Sequence, residues 1–163
     1  MRTRVLLLCA FMTFAVTWAG SAVAGSKNTP AFVPPCGSGT AGVRFVLYDN
    51  GTNVCDNVSG LVWEREPIQE FRTYQAAASY CVSKGTEWTL PALKDFYTLV
   101  DYANAFPPLP TGSPFVGIRG DQYWTSTPNV YYGGNIWTFI WDTGRTFMST
   151  PEYDLVRVWC VRY

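Results

Sequence analysis

The cysteines limit this chain more than any other residue type. There are five of them and no histidine. Cys9 stands in an apolar stretch near the start, while Cys36, Cys55, Cys81 and Cys160 are spread along the rest. A zinc site takes thiolates in close pairs such as C-x-x-C, usually with histidine. Wide spacing and no histidine point instead to disulfides, and four cysteines allow three pairings. Disulfides belong to an oxidising compartment.

The first 24 residues point to the same compartment. Arg2 and Arg4 form a basic start, Val5 to Val16 is apolar apart from Thr13, and the stretch closes on Ala22-Val23-Ala24. That order describes a secretory signal peptide. The apolar run falls short of the roughly 20 residues that a membrane-spanning helix needs, and no later segment is apolar enough to span. Cys9 lies inside the apolar run, whereas a lipid-acceptor cysteine follows it. The chain is therefore expected to be exported, to the periplasm, the cell surface or the medium.

Removing residues 1–24 leaves enough chain for one domain with one core. It also leaves ten basic against twelve acidic residues. Such a balance carries no electrostatic footprint for nucleic acid or an anionic membrane. Aromatic residues make up 17% of the chain, more than the 15% that are charged. A chain of this kind packs rings into an interlocked core, displays some of them for a ligand, or does both.

Residues 25–42 are small, polar and proline-bearing, and read as an extended lead-in pinned by Cys36. Residues 43–163 form the expected domain. Val43 to Tyr48 has strand composition, Asp49-Asn50-Gly51 supplies a hairpin turn, and Thr52 to Cys55 returns. A helix is expected between Thr73 as cap and Gly85 as stop, because Tyr74, Ala77, Ala78 and Cys81 share one face. A second helix follows Pro91, with Leu93, Phe96, Tyr97 and Val100 as its stripe. Residues 103–122 have no period and are long for a connection. Strands are then expected at 123–125, 135–141, 145–148 and 155–161. Strands, two helices, a long loop and more strands describe an α+β arrangement.

Four phrases in this order resemble one family. Asp56-Asn57-Val58-Ser59-Gly60-Leu61-Val62-Trp63 is similar to the D-N-x-T-G-L-x-W signature of the Lcl C-terminal domain family, the end domain of a bacterial collagen-like adhesin. Trp88-Thr89-Leu90-Pro91 is similar to its W-R-L-P, Tyr123 to Pro128 to its Y-W-S-S-T, and Trp159-Cys160-Val161-Arg162 to its closing R-C-V-R. Thr89 and Trp159 stand where the family carries arginine. The resemblance implies a C-type-lectin-like fold, with a twisted antiparallel sheet and two helices. It also implies a disulfide from Cys81 to Cys160, and hence a second from Cys36 to Cys55.

Sugar-binding lectins of that shape hold calcium through carboxylates, and calcium needs six to eight oxygens. Trp124-Thr125-Ser126 carries no carboxylate, and Asp101, Asp121 and Asp142 are the nearby acids; no metal site is expected. The candidate ligand contact is the aromatic loop 121–137, through Asp121, Tyr123, Asn129, Tyr131, Tyr132 and Asn135. Tyrosine with asparagine gives large contact area and adaptable hydrogen bonding, as in a paratope. Trp124 and Trp137 are expected in the core.

Without histidine, most nucleophile–base pairs are missing. A carboxylate pair remains the one catalytic route, and Glu64, Glu66 and Glu70 cluster in sequence with nothing to mark them as buried. The reading is an exported binding or adhesion module without catalysis or cofactor, recognising an extracellular glycan or protein. The alternative is a structural subunit of a surface or pilus-like assembly. A carboxylate-based glycan hydrolase ranks behind both.

Overall fold

The computed structural model describes residues 43–163. The leader 1–24, the lead-in 25–42 and Cys36, with the Cys36–Cys55 bridge expected at it, lie outside the described residues. Among the described residues no helix is long and apolar enough to cross a membrane.

The first hairpin forms where turn chemistry requires it. β1 (Phe45–Tyr48) and β2 (Asn53–Asp56) pair antiparallel, with Tyr48 opposite Asn53. Between them Asp49, Asn50 and Gly51 all take positive φ, at 46°, 55° and 84°. Short polar residues and glycine tolerate that region best. β3 (Val62–Glu64) adds to β2 after a turn held by Asp56, which is fully buried. Its carboxylate receives both arms of Arg44 at 3.1 Å, the Val58 N–H at 3.0 Å and the Ser59 hydroxyl at 2.9 Å. A buried carboxylate needs such donors. The Asp56-Asn57-Val58-Ser59-Gly60 phrase is thus a structural turn. Asn57 in this turn donates its side-chain amide to the Val43 carbonyl.

After β4 (Phe71–Arg72), helix α1 spans Tyr74–Ser83 and buries Ala77 and Cys81, on the face the spacing predicts. Thr73 makes no side-chain cap. The first-turn N–H of Tyr74 bonds instead to the Pro151 carbonyl at 3.2 Å, brought from a distant loop. β5 (Trp88–Thr89) leads to α2 (Leu93–Leu99), whose N-terminus is also capped from afar. The Thr127 hydroxyl accepts the Leu93 N–H at 2.9 Å, and Asp95 accepts the Ala92 N–H at 2.8 Å. Orphan donors at a helix start need partners, and tertiary structure supplies them here. The buried stripe of α2 is Phe96 and Leu99 with Leu93 and Val100 packed beside them; Tyr97, expected in it, is 44% exposed.

The strands make two five-stranded sheets and not one. The first is ordered β1-β2-β3-β10-β5, and the second β4-β9-β6-β7-β8. The second contains β6 (Gln122–Pro128), β7 (Ile136–Ile140) and β8 (Arg145–Ser149) as an antiparallel meander. It also contains β9 (Val156–Arg157), which pairs parallel to β6 through Tyr123 and Arg157, so the sheet is not purely antiparallel. The single last strand expected over 155–161 divides in two. β9 serves the second sheet and β10 (Val161–Arg162) the first, while the fully buried Val158, Trp159 and Cys160 cross between them. A run this apolar with little alternation gives no signal for where one sheet is left and the other joined.

Trp159 lies at the centre of the core, 5.2–5.3 Å from Trp63, Phe115 and Trp141 by ring centroids. Phe96 of α2 packs on Trp63, Phe139 and Trp141. Phe115 anchors the long loop to this cluster together with Leu109. The loop is further tied by the Val116 N–H to the Arg65 carbonyl at 3.0 Å and by Arg65 Nε to the Pro114 carbonyl at 3.1 Å. It forms part of the core wall. Cys81 of α1 is bonded to Cys160, as the resemblance implies, with Cα atoms 5.5 Å apart.

Candidate functional site

The loop from β6 to β7 is built around Asn129. Its side chain is buried, and its Oδ1 accepts the N–H groups of Tyr131 at 2.9 Å and Tyr132 at 3.2 Å. Its backbone N–H donates to the Asn135 carbonyl at 2.9 Å, and the Asn135 N–H donates to the Tyr132 carbonyl at 3.1 Å. Asparagine suits this work because its short amide mimics a backbone turn. Gly134, at φ +91°, closes the loop where a side chain would be strained. This frame pushes three apolar side chains outward: Val130 is 83% exposed, Tyr131 86% and Tyr132 61%. Ordering a ring on a stiff turn lowers the entropy lost when it meets a partner.

The six residues expected to touch a ligand therefore separate by environment. Tyr131 and Tyr132 stand in solvent. Asn135 is half-buried and accepts the Thr150 hydroxyl at 3.3 Å. Asp121 is paired with the Arg157 guanidinium. Tyr123 does not reach the surface: it is fully buried, with its hydroxyl accepting the Arg119 N–H at 3.0 Å. Asn129 is a buried organiser of the loop and leaves no side-chain surface for a ligand. Composition alone could not separate these roles, since only Tyr123 of the six lies within β6, where Tyr123, Trp124 and Thr125 are buried in succession.

Trp124 is fully buried, with its indole N–H donating to the Arg72 carbonyl at 2.8 Å. Trp137 is only half-buried. Asp101 is occupied by the Ala103 N–H and the Asn104 amide, both at 2.9 Å. Among the described residues no group of three or more His, Cys, Asp or Glu side chains is arranged to hold a metal ion.

A second feature was hidden in the sequence. Glu64, one of three glutamates that nothing marked as buried, is 3% exposed at the foot of a cleft of about 730 Å³. Its Oε1 meets the Lys84 ammonium at 2.8 Å and the Tyr80 hydroxyl at 3.1 Å, and its Oε2 accepts the Cys160 N–H at 2.9 Å. Both oxygens are occupied. Burial, then the charge and hydrogen bond of Glu64, push the Tyr80 hydroxyl well above the ordinary tyrosine value. The signal missed was a charged residue closing the Leu61-Val62-Trp63 strand run. Arg162 lines the same cleft with its guanidinium over the rings of Tyr48, at 5.2 Å, and Trp88, at 5.7 Å.

Two five-stranded sheets, two helices and a ring-bearing turn define a small α+β domain. The model of the Lcl C-terminal domain family matches residues 52–162, and the chain belongs to that family. It is a domain of adhesin type and not a known enzyme family. No curated protein matches the chain. The match takes in β2 to β10, the Cys81–Cys160 bridge and the 129–135 loop. A buried disulfide in an adhesin-type domain fits an exported protein.

Proposed function

We propose that this domain is an exported binding or adhesion module of C-type-lectin-like shape. It recognises an extracellular glycan or protein through the 129–135 loop and performs no catalysis. The observation that carries the reading is the exposure of Val130, Tyr131 and Tyr132 on a turn that the buried Asn129 holds in place. Monomeric proteins do not usually display adjacent large apolar side chains without use. Tyrosine gives contact area and a hydroxyl with few rotamers to lose. The helix-to-final-strand bridge and the long anchored loop support the lectin-like shape.

The test is a screen of the oxidised full chain against immobilised glycans and extracellular matrix proteins, with calcium and with chelator. The reading expects at least one saturable ligand, retained in chelator and lost in the Tyr131→Ala/Tyr132→Ala double variant. No saturable ligand on either set, or equal binding by the variant, overturns it.

A further inference from the structure

The 129–135 loop does not stand alone at its end of the second sheet. β6 ends at Pro128, which pairs with Ile136 at the start of β7, and Ile136 pairs in turn with Ser149 at the end of β8. The chain after Ser149 therefore leaves from the same end. Thr150 ties the two segments together through its hydroxyl on Asn135 Oδ1.

Residues 150–154 then close on themselves. The Thr150 N–H donates to Asp154 Oδ2 at 2.7 Å, and the N–H groups of Tyr153 and Asp154 donate to the Thr150 carbonyl at 3.3 and 3.0 Å. This turn holds Tyr153 next to Thr150 before the chain runs on to β9. The Tyr153 side chain is 78% exposed. Glu152 and Asp154 flank it and are exposed too, and neither lysine nor arginine occurs in residues 129–135 or 150–155.

We infer that Val130, Tyr131, Tyr132 and Tyr153 form one docking surface for a protein partner whose apolar face is rimmed by lysine or arginine. The inference rests on the 129–135 loop being the binding surface, and adds the second loop and the class of partner. Val130 offers branched hydrocarbon, which matches an apolar protein face and gives nothing to sugar hydroxyls. The acids beside Tyr153 repel a polyanion and attract cations at the rim. Such charges act within about 8 Å at physiological salt and raise association rates more than they lengthen lifetimes.

The probe is a synthetic peptide of alternating leucine and lysine, with its leucine–glutamate counterpart and neutral phosphatidylcholine vesicles as the other arms. Binding to the oxidised full chain is followed by amide chemical shifts. The lysine peptide is expected to shift the amides of Tyr131, Tyr132 and Tyr153 together. Tyr153→Ala and Glu152→Lys should each weaken it at least fivefold, and the glutamate peptide should bind at least tenfold more weakly. Loss with Tyr131→Ala/Tyr132→Ala but not with Tyr153→Ala or Glu152→Lys overturns the two-loop surface and leaves the single-loop reading standing. Equal binding of both peptides overturns the basic partner, and vesicle binding at the same loops overturns a protein partner. No effect of any variant overturns the surface and the reading beneath it.

Discussion

Glu64 and Cys160 bond to each other in both directions: the Glu64 N–H donates to the Cys160 carbonyl at 3.2 Å, and the Glu64 carboxylate accepts the Cys160 N–H at 2.9 Å. The carboxylate thus joins β3 to the residue that bridges to α1. Lys84 and Tyr80, also contributed by α1 and its end, complete its shell. Glu64 is a structural joint between the first sheet and the helix.

Glu64→Ala should therefore destabilise the fold by about 3 kcal/mol, since it strands a buried N–H and removes a buried charge from its partners. Lys84→Met should cost less, about 1 kcal/mol, because the ammonium is partly exposed and water already screens it. Urea unfolding of the two variants measures this. A smaller loss for Glu64→Ala than for Lys84→Met would show that the carboxylate is not the joint.

The Cys81–Cys160 bridge encloses a sequence separation of 79 residues. Closing a loop of that length in the unfolded chain corresponds to about 4 kcal/mol in the chain-entropy model. The Cys81→Ala/Cys160→Ala variant should lose stability of that order under equilibrium unfolding. A change below about 1 kcal/mol would mean that packing around Trp124 and Val158 holds the helix without the bridge.

Asn129 offers a more selective probe. Asn129→Ala removes the acceptor for two backbone N–H groups, and should cost about 1–2 kcal/mol. It should also weaken ligand binding although Asn129 has no exposed side chain, because Tyr131 and Tyr132 lose their frame. Hydrogen exchange at those two amides should accelerate. Unchanged exchange and binding would show that the loop keeps its shape without the amide.

Much of the framework was legible in the residues. The Asp49-Asn50-Gly51 turn, the Tyr74-Ala77-Ala78-Cys81 face and the 145–148 strand are local signals, and local signals survive in the fold. What was not legible depends on distant partners. Thr73 reads as a helix cap, yet Pro151 replaces it. Tyr97 shares the spacing of Phe96, yet lays its ring against Phe139 while remaining partly exposed, and Leu99 turns in. Val158 to Cys160 read as strand interior because nothing in their composition marks a crossing between sheets. Trp159, where the resemblance implies arginine, fills the core centre. Within residues 121–137, composition identified the tyrosines, but only the fold separates Tyr123, buried in β6, from Tyr131 on the exposed turn that Asn129 holds.

Alkaline pH should weaken the fold in a defined direction. Burial raises Tyr80 and Tyr123 above the ordinary value of 10.0. Above pH 10 the unfolded chain releases these protons first. The stability they contribute is fully present below pH 10 and is lost as pH rises through the folded values. Urea midpoints at about pH 9 and about pH 11 should show a clear fall; a level or rising midpoint would contradict the burial of these hydroxyls.

The most direct test of the central claim sets binding against stability in the Tyr131→Ala/Tyr132→Ala double variant. If the two rings are an exposed contact surface, thermal unfolding should stay within about 0.5 kcal/mol of the parent chain, the range for exposed substitutions, while ligand binding is lost. A large fall in melting temperature, or binding that survives the double substitution, would contradict the account.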